Sequence, residues 1–121
     1  MTSLERARQF ALSLPEATEE PHHDMSSFRV RGKIFATVPP GGKQLRIFLD
    51  SHEVQALIAE VPATYEPVIW GKRVVPGAVC VNLAAAKITV VRELLEEAWR
   101  LRAPKRVIAA FEAGEGDSRW A

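Results

Sequence analysis

The densest grouping of side chains able to do chemistry is Phe28 to Leu49, FRVRGKIFATVPPGGKQLRIFL, where Arg29, Arg31, Lys33 and Arg46 interleave with Phe28, Phe35 and Phe48. Cations beside aromatic rings suit a polyanion: guanidinium and ammonium groups meet phosphates while Phe35 or Phe48 offers a ring on which a base can stack. Lys43, Lys72 and Arg73 fall in turn sequence and extend the candidate nucleic-acid contacts as hairpin tips. Trp70 joins Phe35 and Phe48 as the lining of a candidate ligand groove. The competing reading makes the phenylalanines core, Trp70 and Trp99 packing residues, and the charges a solvated strand edge.

Other groupings carry less. His22-His23-Asp24 could supply metal ligands or an acid–base pair with His52 as a distant helper, but adjacent side chains point apart and no further His or Cys stands at ligand spacing. No metal or cofactor is therefore expected. Cys80 lies inside an apolar run where a thiol is inert core, and Ser13, Ser26, Ser27 and Ser51 lack a nucleophile-elbow context. Gly41-Gly42 precedes a strand and has no helix entry, so it reads as a hairpin loop rather than a phosphate cradle. Arg100, Arg102, Lys105 and Arg106 cluster at a helix end, where cations complement the helix dipole. No catalytic constellation emerges, and the chain is read as a non-enzyme.

The elements that must position these residues follow from periodicity and punctuation. Phe28–Val30 and Ile34–Val38 flank Arg31-Gly32, and Leu45, Ile47 and Leu49 alternate in a third run, which predicts an antiparallel meander. A two-residue turn at Arg31-Gly32 would set Phe28 opposite Phe35; a three-residue loop would set it opposite Ala36 and turn Phe35 to the other face. A first helix begins at Thr2 or Ser3 with the capping box Thr2-x-x-Glu5, carries Leu4, Ala7, Phe10, Ala11 and Leu14 on one face, and stops at Pro15. The acid-rich EATEEPHHDMSS that follows reads as a loop. Asp50 caps a second helix bearing Val54, Leu57, Ile58 and Val61, which Pro62 ends. Tyr65–Trp70 is a strand that Pro67 confines to an edge, and Ala78–Leu83 is a buried strand. Thr89 caps a long helix with the stripe Val91, Leu94, Leu95, Ala98 and Leu101 and the pair Glu96–Arg100. Pro104 opens a last short helix packing Val107, Ile108 and Phe111, followed from about Gly114 by a fraying tail unless Trp120 docks.

At 121 residues the chain fits one domain spanning 1–121. Its 47% hydrophobic and 26% charged residues exclude a wholly disordered chain, and the net charge of +1 neither implies nor excludes a polyanionic partner. A single cysteine excludes an internal disulfide, and no stretch is long and apolar enough to span a bilayer. A cytoplasmic monomer without membrane association is the expectation.

With the elements placed, the chain resembles the MmcQ/YjbR family of small bacterial proteins. The resemblance rests on Ser27–Ala36 (SFRVRGKIFA), Trp70-Gly71, Glu97–Leu101 (EAWRL) with Ala103-Pro104-Lys105, and the helix end Ala11-Leu12-x-Leu14-Pro15, covering residues from about 4 to about 105. The stretch Lys72–Pro76 departs from the pattern, since many members carry a second aromatic there. The resemblance implies an α+β fold similar to the bacterial frataxin homologue (CyaY-like): two layers, an antiparallel sheet of about five strands covered on one face by the N- and C-terminal helices. It also implies DNA binding through a double-wing arrangement of strands and loops. Frataxin-like iron binding would want a row of carboxylates on the first helix, which here holds Glu5 among Arg6, Arg8 and Gln9, with Glu16, Glu19 and Glu20 after it. The expected function is weak, non-specific DNA binding by the meander and turns; the alternative is a protein-interaction or small-ligand module.

Overall fold

Alternating apolar and polar residues in the meander give a sheet with two unlike faces. The computed structural model describes residues 1–118. In chain order the elements are α1 (Leu4–Ser13), β1 (Ala17–His22), β2 (Met25–Val30), β3 (Lys33–Val38), β4 (Gln44–Phe48), α2 (Ser51–Glu60), β5 (Tyr65–Trp70), β6 (Arg73–Asn82), α3 (Ile88–Arg102) and α4 (Lys105–Ser118). The strands form one six-stranded sheet in the order β1-β2-β3-β4-β6-β5, with every neighbouring pair antiparallel. This is the expected helix-backed α+β architecture with one strand more than the expected five.

The extra strand is β1, in the stretch read as a loop. It pairs with β2 from Ala17↔Val30 to His22↔Met25. A test for apolar alternation misses it because its inward position is filled by a satisfied carboxylate. Glu19 accepts from Arg8 Nε at 3.0 Å and 3.2 Å and from Ser26 Oγ at 2.6 Å. That coupling holds the Arg8 guanidinium above its ordinary range.

The β2–β3 register combines features of both sequence alternatives. Arg31 and Gly32 both have positive φ, 51° and 80°, as a type I′ two-residue turn requires, and Val30 pairs with Lys33. A bulge then makes Phe28 pair with Ala36, and Phe35 stays on the same side as Phe28, their rings 6.4 Å apart.

One main core fills the space between sheet and helices. Phe28, Val30, Phe35, Leu45, Ile47, Val79 and Val81 meet Ala7 and Ala11 of α1, Leu14 at its C-terminal cap, and Val91, Leu94, Leu95, Ala98 and Trp99 of α3, with Val54 and Val107 also in the cluster. Trp99 is fully buried; its Nε1–H donates to the Pro15 carbonyl at 3.0 Å and its ring meets Phe111 edge-on at 5.1 Å. On the other face Val68, Ala78 and Cys80 form a small second cluster with Phe48 and Val75.

Helix boundaries correct several expectations. Ser3, not Thr2, caps α1 by accepting from the Arg6 amide, because the Thr2 hydroxyl donates to the Ala86 carbonyl at 2.8 Å. Asp50 caps α2 as expected, accepting from the His52 amide at 2.9 Å. In α3 the cap position is Lys87, without a side-chain bond, and Thr89 lies inside the helix. Leu101 is 51% exposed because position 102 faces β3 instead, where Arg102 Nε donates to the Ile34 carbonyl at 3.2 Å. Pro104 precedes α4, which runs past Gly114 to Ser118; Trp120 lies outside the described residues. No helix among the described residues is long and apolar enough to cross a membrane.

Candidate nucleic-acid interface

Strand polarity decides which turns can act together. The Arg31-Gly32 and Gly71-Lys72 turns lie at one end of the sheet; the His23-Asp24 turn and the Pro39–Lys43 loop lie at the other. The two basic tips are three strand spacings apart, about 14 Å at about 4.8 Å per strand.

The β5–β6 hairpin is the more accessible tip. It outruns β4, whose last paired residue, Phe48, sits opposite Ala78, so residues 69–74 have no further strand beside them. The register between β5 and β6 jumps from Pro67↔Val79 to Val68↔Val75, leaving Pro76-Gly77-Ala78 as a bulge that bends the hairpin. Gly77 lets β4 come close there: its carbonyl accepts from the Leu49 amide at 2.9 Å, and a Cβ would stand 3.3 Å from the Leu49 carbonyl oxygen. At the tip Ile69, Trp70 and Val74 are 54%, 57% and 59% exposed, beside exposed Lys72 and Arg73.

The seven candidate cations do not form one patch. Lys33, Lys72 and Arg73 are exposed at the tip end, with no acid within salt-bridge distance among the described residues. Arg31 is there too, but its guanidinium grips both carboxylate oxygens of Glu16, which holds Glu16 below the usual carboxylate range and Arg31 above its own. Arg29 donates to Ser27 Oγ at 3.0 Å and to the Pro21 carbonyl at 3.4 Å. Arg46 lies on the face away from the helices with Nη1 3.6 Å from Met25 Sδ. Lys43 is at the opposite end of the sheet, lining an open cleft of about 370 Å³ with Thr2, Leu4 and Asn82.

The expected groove of Phe35, Phe48 and Trp70 does not assemble. Phe35 is fully buried in the main core, Phe48 packs into the second cluster on the other face, and Trp70 stands at the hairpin tip. Sequence reasoning offered Trp70 as groove lining or as packing, whereas it stands exposed at a hairpin tip, and it missed Ile69 and Val74 beside it. The sequence reading began this strand at Ala78, whereas β6 begins at Arg73 and so outruns the five-residue β4.

On the face away from the helices the ladder pairings align Glu20, Ser27, Thr37, Arg46, Cys80 and Glu66 in one row. Burial pushes the Cys80 thiol up, and Glu66 adds to that while Arg46 opposes it. Thr37 is 3% exposed and its hydroxyl has no hydrogen-bond partner.

At the end of α3 one cation is committed to acids. Arg100 pairs with Glu96 at 3.2 Å and Glu112 at 2.7 Å. The His22 and His23 rings lie 4.6 Å apart, tilted by 58°, beside a tight turn in which His23 has φ 59°, and no group of three or more His, Cys, Asp or Glu among the described residues could hold a metal ion.

An antiparallel sheet backed by helices on one face and carrying two hairpin tips at one end defines a small α+β domain of the kind seen in Deinococcus radiodurans protein DR2400, a DUF419 domain. That crystal structure superposes with a TM-score of 0.70 at 19% identity, covering 84% of this chain and 78% of the other. The YjbR family model matches residues 12–101, and the chain belongs to the YjbR family. Uncharacterised proteins of Mycobacterium bovis and Mycobacterium tuberculosis are 36% identical over 81 residues, 64% of this chain; the match spans 60% of their length.

Proposed function

We propose that this protein is a non-catalytic binding module that holds nucleic acid, preferentially single-stranded, at the hairpin-tip end of its sheet. The observation that carries this reading is Trp70, more than half exposed on a projecting hairpin beside Lys72 and Arg73. A ring so placed can stack on a base, which contributes about 1–3 kcal/mol per base without reading sequence. Lys33 on the other tip adds a second phosphate contact, displaced by about 14 Å across the strands. With about three free cations at this end of the sheet, a duplex would bind with a log K versus log salt slope near −3 rather than the roughly −6 that seven contacts would give. Affinity should lie at the weak end of the non-specific range, about 10⁻⁴ M.

Titrating labelled single-stranded and duplex DNA at two salt concentrations tests this. Salt-dependent binding that Trp70→Ala weakens for the single strand, and that Lys72→Glu with Arg73→Glu abolishes, is the expected result. No binding at low ionic strength would refute it. A protein partner is the second reading, favoured by Ile69 and Val74, which are aliphatic and offer no stacking face. In that case an acidic segment with apolar side chains would cover the same tip, and DNA would fail to bind.

A further inference from the structure

Among the described arginines without an acidic partner, Arg73 stands at the hairpin tip and Arg106 in α4, while Arg6 and Arg92 share a groove. Arg8 is held by Glu5 and Glu19, Arg31 by Glu16, and Arg100 by Glu96 and Glu112; Arg29 and Arg102 donate to backbone carbonyls, and Arg46 rests on Met25. Arg6 and Arg92 have no acid within salt-bridge distance among the described residues, and they line the same groove of about 240 Å³ between α1 and α3. Its other lining residues are Gln9, Phe10 and Ser13, so it contains no carboxylate. Positions 6, 9, 10 and 13 form one stripe of α1, flanking the core-facing Ala7 and Ala11.

The groove is also partly organised. Phe10 packs on the main core, and the Arg92 guanidinium sits 5.7 Å above its ring, which limits the rotamers Arg92 must give up on binding. Two arginines lining one groove without a carboxylate give it a net positive lining, which an anion would neutralise. From this we infer that the α1–α3 groove binds a phosphate group, free or as a phosphomonoester. Two guanidiniums and the Gln9 amide match the charge and donor demand of a tetrahedral dianion. The groove is smaller than the roughly 300–1,000 Å³ of sites for drug-sized ligands, and Arg92 covers the one aromatic face, so no nucleobase is accommodated with the phosphate.

The site lies in the helical layer, away from the hairpin tips, so its test is independent of the nucleic-acid reading. The full chain is titrated with inorganic phosphate at constant ionic strength, followed by amide NMR shifts. Saturable shifts at Arg6, Gln9, Phe10 and Arg92 are expected, with Arg6→Gln and Arg92→Gln each weakening affinity about 10-fold. Lys72→Glu with Arg73→Glu should leave phosphate affinity unchanged. Vesicles with and without phosphatidic acid then separate the sources: binding only to the former identifies a lipid headgroup, and binding to neither identifies soluble phosphate. Shifts that do not saturate, that acetate reproduces, or that persist in the double Arg6→Gln, Arg92→Gln variant would overturn the inference.

Discussion

Thr37 and Glu16 show how single side chains reveal costs and couplings that composition hides. The Thr37 hydroxyl is desolvated without a partner, a condition that costs about 1–3 kcal/mol. Thr37→Val keeps the shape and should stabilise the protein by about 1 kcal/mol, raising Tm by about 4 °C in a thermal melt. A melt that falls instead would mean the hydroxyl is satisfied. Glu16 is depressed mainly by its hydrogen bond to Arg31, opposed by desolvation. A carboxylate lowered in the folded state contributes stability above its unfolded pKa and loses it as pH falls through the folded value. NMR of the Glu16 carboxyl should therefore give a midpoint below that of an unpaired glutamate, and Arg31→Gln should move it upward.

Among the elements, α2, α3 and the meander were legible because their burial shows in apolar spacing: Asp50 before Val54, and Val91 to Ala98 along one stripe. β1 was not, because Glu19 and its ties to Arg8 and Ser26 stand where an apolar residue would have signalled a strand. The Phe28–Phe35 arrangement was hidden for a different reason: turn length fixes the first pairs of a hairpin, and only coordinates show a bulge beyond them. The candidate cations were legible by type, but whether a guanidinium is free depends on acids distant in sequence, as Glu16 is from Arg31. α3 ties the layers together through Trp99. Trp99→Phe, which orphans the Pro15 carbonyl and leaves a void, should cost about 1–3 kcal/mol in urea unfolding. At the exposed hairpin, by contrast, Trp70→Ala should change stability by less than about 0.5 kcal/mol, so any lost binding there reads out contact rather than folding.

For the whole molecule, near-balanced charge makes any polyanion binding a matter of local geometry, not of an overall field. Raising salt from 50 to 200 mM should therefore weaken duplex DNA binding by less than about 100-fold, given about three phosphate contacts. The two outer strands share one further property. β1 carries Pro21 with Glu19 and Glu20, and β5 carries Pro67 with Glu66, so each rim combines a residue lacking an amide proton with carboxylates. Both sides are thereby closed to lateral growth, and copies of the chain should resist fusing into continuous ribbons even when crowded. Replacing both prolines with valine would remove that protection, and light scattering on concentrated samples should then report fibril-forming assembly.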